Sequence, residues 1–317
     1  MSLSLLHCVG NSVGDLDQAA LLTGGSCGSF AASLLEQRAR RLVALQLDVL
    51  ADRDPEPLHQ MRVCCRQIRS TVEQFAAALL LPEQVSAQRL ARIGSDLGLA
   101  RDLDVMRDQL EQRWYPLLSE REQSPLRKLL KLLRRERKLA FAITTDTLKG
   151  RRYLKLLARL QAWLREPVFT AMGAEPIAPW CPELQQVVQA GLFTLPGWWV
   201  ERPHEPEAAL ALHQLRRRIK RARYGLVNLS PLAPELYQPW LLQLKRMQTS
   251  LGELQDLRVL MLMLERLLEE RPDAVLPSLC SLILEARDQA WQSWLEASAE
   301  LRTAAGRQRL LNLQLNR

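Results

Sequence analysis

The 317-residue chain has four histidines, and two of them open nearly the same phrase. LHQMRVCCRQIR (residues 58–69) sets Arg62, Arg66 and Arg69 behind His59, and LHQLRRRIKRAR (residues 212–223) sets Arg216, Lys220 and Arg223 behind His213. A helix turns about 100° per residue, so the four groups of each phrase fall within an arc of roughly 80°. Met61, Cys65, Ile68, Val72 and Phe75 take the opposite side of the first helix, and Leu215, Ile219, Ala222, Leu226 and Leu229 that of the second. Each helix therefore packs on one face and presents aligned cations on the other. The chemistry such a face supports is the gripping of an extended anion by guanidinium forks.

A solvated basic face normally interleaves acids at four-residue spacing, where ion pairs form. Residues 59–72 and 213–234 contain no Asp or Glu. Like charges so close repel by ~0.2–0.5 kcal/mol per neighbouring pair, and the chain carries that cost twice, which points to a ligand that relieves it. More cations lie in residues 121–165, where fourteen Lys/Arg face only Glu122, Glu136 and Asp146 in a chain of net charge +8. An anionic partner follows, although charge alone does not name it.

Helices must position these residues. Hydrophobic residues make up 47% of the chain and charged ones 25%, enough for a sizeable core, and only 14 glycines interrupt it. Apolar residues at three- and four-residue steps predict an amphipathic helix over 30–52. DRDPEP (52–57) breaks it, and Pro57 suits the first turn of the phrase-bearing helix, which runs to about Leu81 before Pro82. The next helix is expected over 83–97, ended by Gly98, with another after it capped by Asp102. Helices over 125–147 and 150–165 complete a first half, about 30–165. Prolines crowd residues 166–208, which reads as a linker with one short helix near 183–192. The pattern then begins again as a second half, about 209–317. Residues 1–29 are left structurally open.

The six cysteines fit no zinc spacing, and Cys64 and Cys65 point in different directions on one helix, so reduced cysteines in a cytosolic protein are expected. No apolar run approaches the ~18 residues of a membrane span, and the first 30 residues do not read as a signal peptide.

An internal repeat is the strongest signal. One shift of 154 residues lays His59 on His213, Arg62 on Arg216, Arg66 on Lys220 and Arg69 on Arg223. It also lays Arg92 on Arg246, Leu97–Gly98 on Leu251–Gly252 and Asp102 on Asp256. The chain is a duplicated helical unit.

These residues together resemble the CHAD family. Its phrase is a His followed by R-x-x-x-R-x-x-R, then L-G-x-x-R-D-x-D-V, in two related halves; here HQMRVCCRQIR pairs with LGLARDLDV, and HQLRRRIKRAR with LGELQDLRV. GRRYLKLLARLQAWL (150–164) resembles another family phrase, so the resemblance covers about 30–317. It implies one compact all-α domain of two four-helix-bundle-like halves related by pseudo-twofold symmetry, around a central basic groove or pore. It also implies binding of inorganic polyphosphate and association with polyphosphate granules. Carried over, the ligand-facing residues are His59, Arg62, Arg66, Arg69, His213, Arg216, Lys220 and Arg223, with Arg92 and Arg246 beside them. Arg217, Arg134, Lys138 and Arg152 complete the candidate set. Lys220 departs from the arginine usual in the family, Gln255 and Arg258 depart from the first copy's Arg101 and Asp104, and Arg218 falls on a side expected to be buried.

Other readings compete. Asp102 and Asp256 are expected to cap helices or to hold arginines rather than to ligate metal, and the histidines lack partners at ligand spacing, so no metal and no cofactor are expected. Nucleic acid is also a linear polyanion, but the cation faces carry no interleaved aromatics for base stacking. Catalysis is not expected, because the E-x-E-x-K strand of triphosphate-processing domains, a Walker-type loop and a nucleophile motif are all absent. Protonated histidines would strengthen anion binding below about pH 6.5.

Overall fold

The computed structural model describes residues 25–313 apart from Glu269, so Cys8 and nearly all of the open N-terminal segment lie outside it. Ser26 starts α1 (Cys27–Ala44) by accepting from the Ser29 N–H at 3.2 Å. The short α2 (Gln46–Ala51) follows and stops at Asp52, which adopts a left-handed φ of 50°. Asp54 caps α3 (Pro55–Gln74), accepting from the Glu56 N–H at 2.8 Å, and both prolines of the DRDPEP break lie in its first turn. The helix carries the first phrase but ends before Leu81. Its continuation is claimed by the linker, because Leu80 N–H donates to Val168 at 3.0 Å and Thr170 N–H donates to Ala78 at 3.2 Å.

Ser86 caps α4 (Ala87–Asp108), which runs without a break through Gly98 and Asp102. The expected helix end at Gly98 and the expected cap at Asp102 are therefore corrected. Gly98 supplies space rather than a terminus, since a Cβ there would lie 3.1 Å from an Arg62 guanidinium nitrogen. A π-helical stretch (Gln109–Trp114) leads towards α5 (Glu120–Lys149), and α6 (Arg151–Arg165) closes the first copy.

The Pro-rich segment is built into the core. It contains α7 (Cys181–Gln189), where a short helix was expected, and a 3-10 turn at Pro196–Trp199. Trp198 is 1% exposed, donates to the Leu192 carbonyl at 2.8 Å and lies 5.7 Å from the ring of Trp294. The second copy supplies α8 (Pro206–Leu229) and α9 (Pro234–Leu267), then α10 (Pro277–Ser298) and α11 (Ala304–Leu311).

Two apolar clusters hold these helices. The larger joins α1, α3, α6 and the start of α4 to α7, α8 and the start of α9. The smaller joins Leu110, Trp114 and Leu126–Leu133 to Leu257–Leu264 and Leu276–Ala286. Neither is confined to one copy of the repeat. Among the described residues the only β pairings are two isolated bridges, so the fold is all-α. Among the same residues no helix is long and apolar enough to cross a membrane. Cys27, Cys64, Cys65, Cys181 and Cys280 are free and buried.

Candidate functional site

The two phrase-bearing helices divide as their periodicity dictates. On α3, Met61, Cys65, Ile68, Val72 and Phe75 are buried, and on α8 so are Leu215, Ile219, Ala222, Leu226 and Leu229. Burying each large apolar side chain contributes about 1.5–3 kcal/mol, which fixes the rotation of both helices and turns the cations to the other side. His59, Arg62, Arg66, Arg69, His213, Arg216, Lys220 and Arg223 are all half-buried.

α3 and α8 pack against each other. Their contact is stitched by a buried amide pair, Asn228 Nδ2 donating to Gln74 Oε1 at 2.7 Å, between residues 154 apart. Gln74 Nε2 in turn donates to the carbonyls of Leu184 (3.1 Å) and Gly225 (3.3 Å).

The L-G-x-x-x-D part of the second phrase is a seat for an arginine. Gly and Asp four residues apart stand one above the other on a helix face. Across that face Arg62 Nη1 donates to the Gly98 carbonyl at 3.1 Å and to Asp102 Oδ1 at 2.8 Å. In the second copy Arg216 lies over Gly252 and stands 3.9 Å from Asp256. Both aspartates thus hold arginines from mid-helix positions, and neither caps a helix.

Between the helices lies a cavity of about 260 Å³, walled by Arg66, Arg69, Ser70 and Glu73 of α3, Arg217, Lys220, Arg221 and Tyr224 of α8, and Gly94 and Ser95 of α4. Lys220 is where the two copies meet. Burial, then the charges of Arg66, Arg216, Arg62 and Arg223, push its ammonium pKa down to about 7. His59 is held below the usual imidazole value by burial and by Arg101, with Arg66 and Arg62 adding to the effect. His213 is lowered by burial and by Arg216 and Arg217. Both rings therefore gain their charge at lower pH than a free imidazole, unless an anion is present to favour the cation. The Nε groups of Arg62, Arg101, Arg216 and Arg221, and Nδ1 of His213, are buried without a hydrogen-bond partner among the described residues.

The structure brings together Arg66, Arg69, Arg217 and Lys220 at the cavity, with Arg62, Arg216, Arg223 and the two histidines flanking it. Arg92 and Arg246 are exposed and are not part of the cavity wall. Arg134 is exposed and paired with Glu111 at 2.7 Å, and Lys138 and Arg152 are exposed on α5 and α6, away from the wall. Arg218 avoids the expected buried side, its guanidinium lying beside the turn at Gly191.

Three contributors escaped the sequence reading. Arg221 lines the cavity within the second phrase itself. Arg101 sits beside His59 from the LGLARDLDV segment. Glu73, one residue beyond the acid-free window, reaches Arg69 at 3.2 Å and Arg221 at 3.7 Å. Its four-residue spacing from Arg69 was the available signal. Among the described residues no three metal-ligating side chains gather.

A family model described as the CHAD domain matches residues 33–265. Among solved structures, the crystal structure of the CHAD domain from the plant Ricinus communis is similar at 23% identity and a TM-score of 0.62, covering 92% of this chain and 94% of that one. PptA from Streptomyces chartreusis is similar at 16% identity and a TM-score of 0.66, covering 87% and 100%. At such identities the likeness is one of fold. No curated protein matches the chain. The matched span takes in both His/Arg phrases and both arginine seats, and by that match the chain belongs to the CHAD domain family.

Proposed function

We infer that this domain binds inorganic polyphosphate along the cation seam between α3 and α8, and that binding holds it on polyphosphate granules in the cytoplasm. The observation that carries the reading is the convergence of two arginine rows, 154 residues apart in sequence, on one cavity where Lys220 faces Arg62 and Arg66. A linear polyanion offers each row of half-buried guanidinium and ammonium groups a partner. The bound chain is held without being cut. The carboxylates nearest the seam, Asp102, Asp256 and Glu73, are engaged with arginines rather than poised for acid–base chemistry.

Binding should release counterions and weaken steeply with salt. By analogy with single-stranded nucleic acid, six engaged cations give a log–log slope on the order of −4. The deciding experiment is a titration of labelled polyphosphate at several salt concentrations, with DNA as competitor at equal phosphate charge. Polyphosphate is expected to displace DNA. If DNA wins, the site is a nucleic-acid interface instead. Incubation with Mg²⁺ or Mn²⁺ should leave polyphosphate length on a gel unchanged, and shortening would overturn the non-catalytic reading.

A further inference from the structure

The chain has seven lysines, and six of them (Lys128, Lys131, Lys138, Lys149, Lys155 and Lys245) are exposed. Lys220 alone is half-buried, at a position where the family phrase carries an arginine. It lines the cavity together with Arg66, Arg69, Arg217 and Arg221. We propose that Lys220 is an acylation site for small acyl phosphates, with the surrounding guanidinium groups holding the phosphate of the donor.

The chemistry follows from what the cavity places together. An acyl phosphate is a carbonyl attached to an anionic leaving group, and arginines grip phosphate through paired N–H donors. Beside them the Lys220 amine attacks the carbonyl carbon. A C–N bond forms and the bond between the carbonyl carbon and the bridging phosphate oxygen breaks. The electron pair leaves with orthophosphate, and the ammonium proton of the adduct passes to phosphate or solvent. Nothing is oxidised or reduced. The attack needs a neutral amine, which burial and neighbouring cations favour at a lysine. Around Lys220 burial acts first, together with Arg66 and Arg62 of α3 and Arg216 and Arg223 of its own helix, and leaves much of the amine neutral near pH 7. Asp256 of α9 and Glu73 of α3 are the acids facing this group, and each is engaged with an arginine. The cavity of about 260 Å³ has room for a small donor.

The product is an uncharged amide at the point where the two cation rows meet. Acylation would thus lower the affinity of the seam for a polyanion, and only this consequence rests on the polyphosphate reading.

The test is incubation of the full chain with acetyl phosphate near neutral pH, followed by lysine-by-lysine mass spectrometry. Lys220 is expected to react at least ~tenfold faster than the mean of the six exposed lysines, as a desolvated amine beside cations does. Inorganic phosphate or tripolyphosphate should slow Lys220 and leave the others unchanged. Arg66→Gln, which keeps the amine and removes one phosphate-holding group, should slow Lys220 several-fold towards acetyl phosphate and distinctly less towards p-nitrophenyl acetate, which has no phosphate to hold. Lys220→Arg confirms the peptide assignment. Should Arg66→Gln fail to fold, the phosphate-protection arm on the unaltered chain decides alone. Equal rates at all seven lysines overturn the inference even if polyphosphate binds, whereas selective labelling without polyphosphate binding would retain it and remove the function proposed above.

Discussion

On α3 and α4, Arg62 is locked to Asp102 at 2.8 Å, Arg69 is answered by Glu73, and Asp104 is buried against Arg137. On α8 and α9, Arg216 stands 3.9 Å from Asp256, Arg223 donates to the neutral Gln248, and the counterpart of Asp104 is Arg258. The first copy neutralises much of its own charge, whereas the second pairs its cations more loosely, Arg216 at 3.9 Å from Asp256 and Arg221 at 3.7 Å from the first copy's Glu73. What the repeat preserves is the seat, a glycine and an aspartate under one arginine. The neutralisation around it is free to diverge, so two copies of one phrase can share a polyanion unequally.

The largest test of that inequality removes cations one copy at a time. At a half-exposed seam each hydrogen bond contributes about 0.5–1.5 kcal/mol net, so Arg66→Ala with Arg69→Ala, or Arg217→Ala with Lys220→Ala, should each weaken polyphosphate binding by tens-fold. All four together should exceed ~100-fold with the helical CD signal retained. The second-copy pair should cost more. If either pair costs nothing, the ligand is not gripped from both sides.

The pH profile is next in size. Lys220 in the free protein titrates at about 7, and a bound anion raises that value, so binding takes up a proton above pH 7. Affinity should therefore fall as pH rises from about 7 to 9, by up to ~tenfold per unit for one linked proton, and Lys220→Arg should flatten the profile. The histidines, held below their usual value, add a further rise in affinity only on the acid side. Stability without ligand runs the opposite way. The folded value of Lys220 lies below its ordinary 10.5, so the unfolded chain binds more protons between the two. Urea denaturation should show stability rising with pH across that window, and Lys220→Met should remove the rise.

Glu73 gives a smaller effect of opposite sign. Its counterpart in the second copy is Val227, and Glu73→Gln frees Arg69 and Arg221. Polyphosphate affinity should increase several-fold, and an unchanged Kd would show that this carboxylate does not compete with the ligand. The smallest contrast lies in the glycines. A Cβ at Gly98 would lie 3.1 Å from Arg62, but one at Gly252 lies 3.5 Å from Arg216, an ordinary contact. Gly98→Ala should weaken binding about two- to threefold and Gly252→Ala should leave it unchanged, a sign of how tightly each seat fits.

Much of this was legible in the sequence because it is periodic. The buried faces of α3 and α8 follow from apolar spacing, and the 154-residue echo pairs His59 with His213 before any coordinates. Gly98 was misread because a glycine that ends a helix and one that admits a neighbouring guanidinium look alike along the chain, and only Arg62 from another helix tells them apart. Asp102 stands mid-helix rather than at a cap, and of its two expected roles it fills the other, holding an arginine. Charge density marks exposure as readily as a site: Arg134, Lys138 and Arg152 on α5 and α6 are exposed outside the cavity wall, and Arg134 answers Glu111 locally. Arg101 and Glu73 act through helices brought together in space, which local spacing reports only in part.

Gln74 and Asn228 occupy equivalent places in the repeat, yet they touch each other. A carboxamide both donates and accepts, so such a meeting point works whichever copy lends the proton. A carboxylate or a guanidinium there would confront its own kind in a dry contact. The amide pair makes the junction indifferent to sign, and that neutrality lets the helices on either side of it carry like charge.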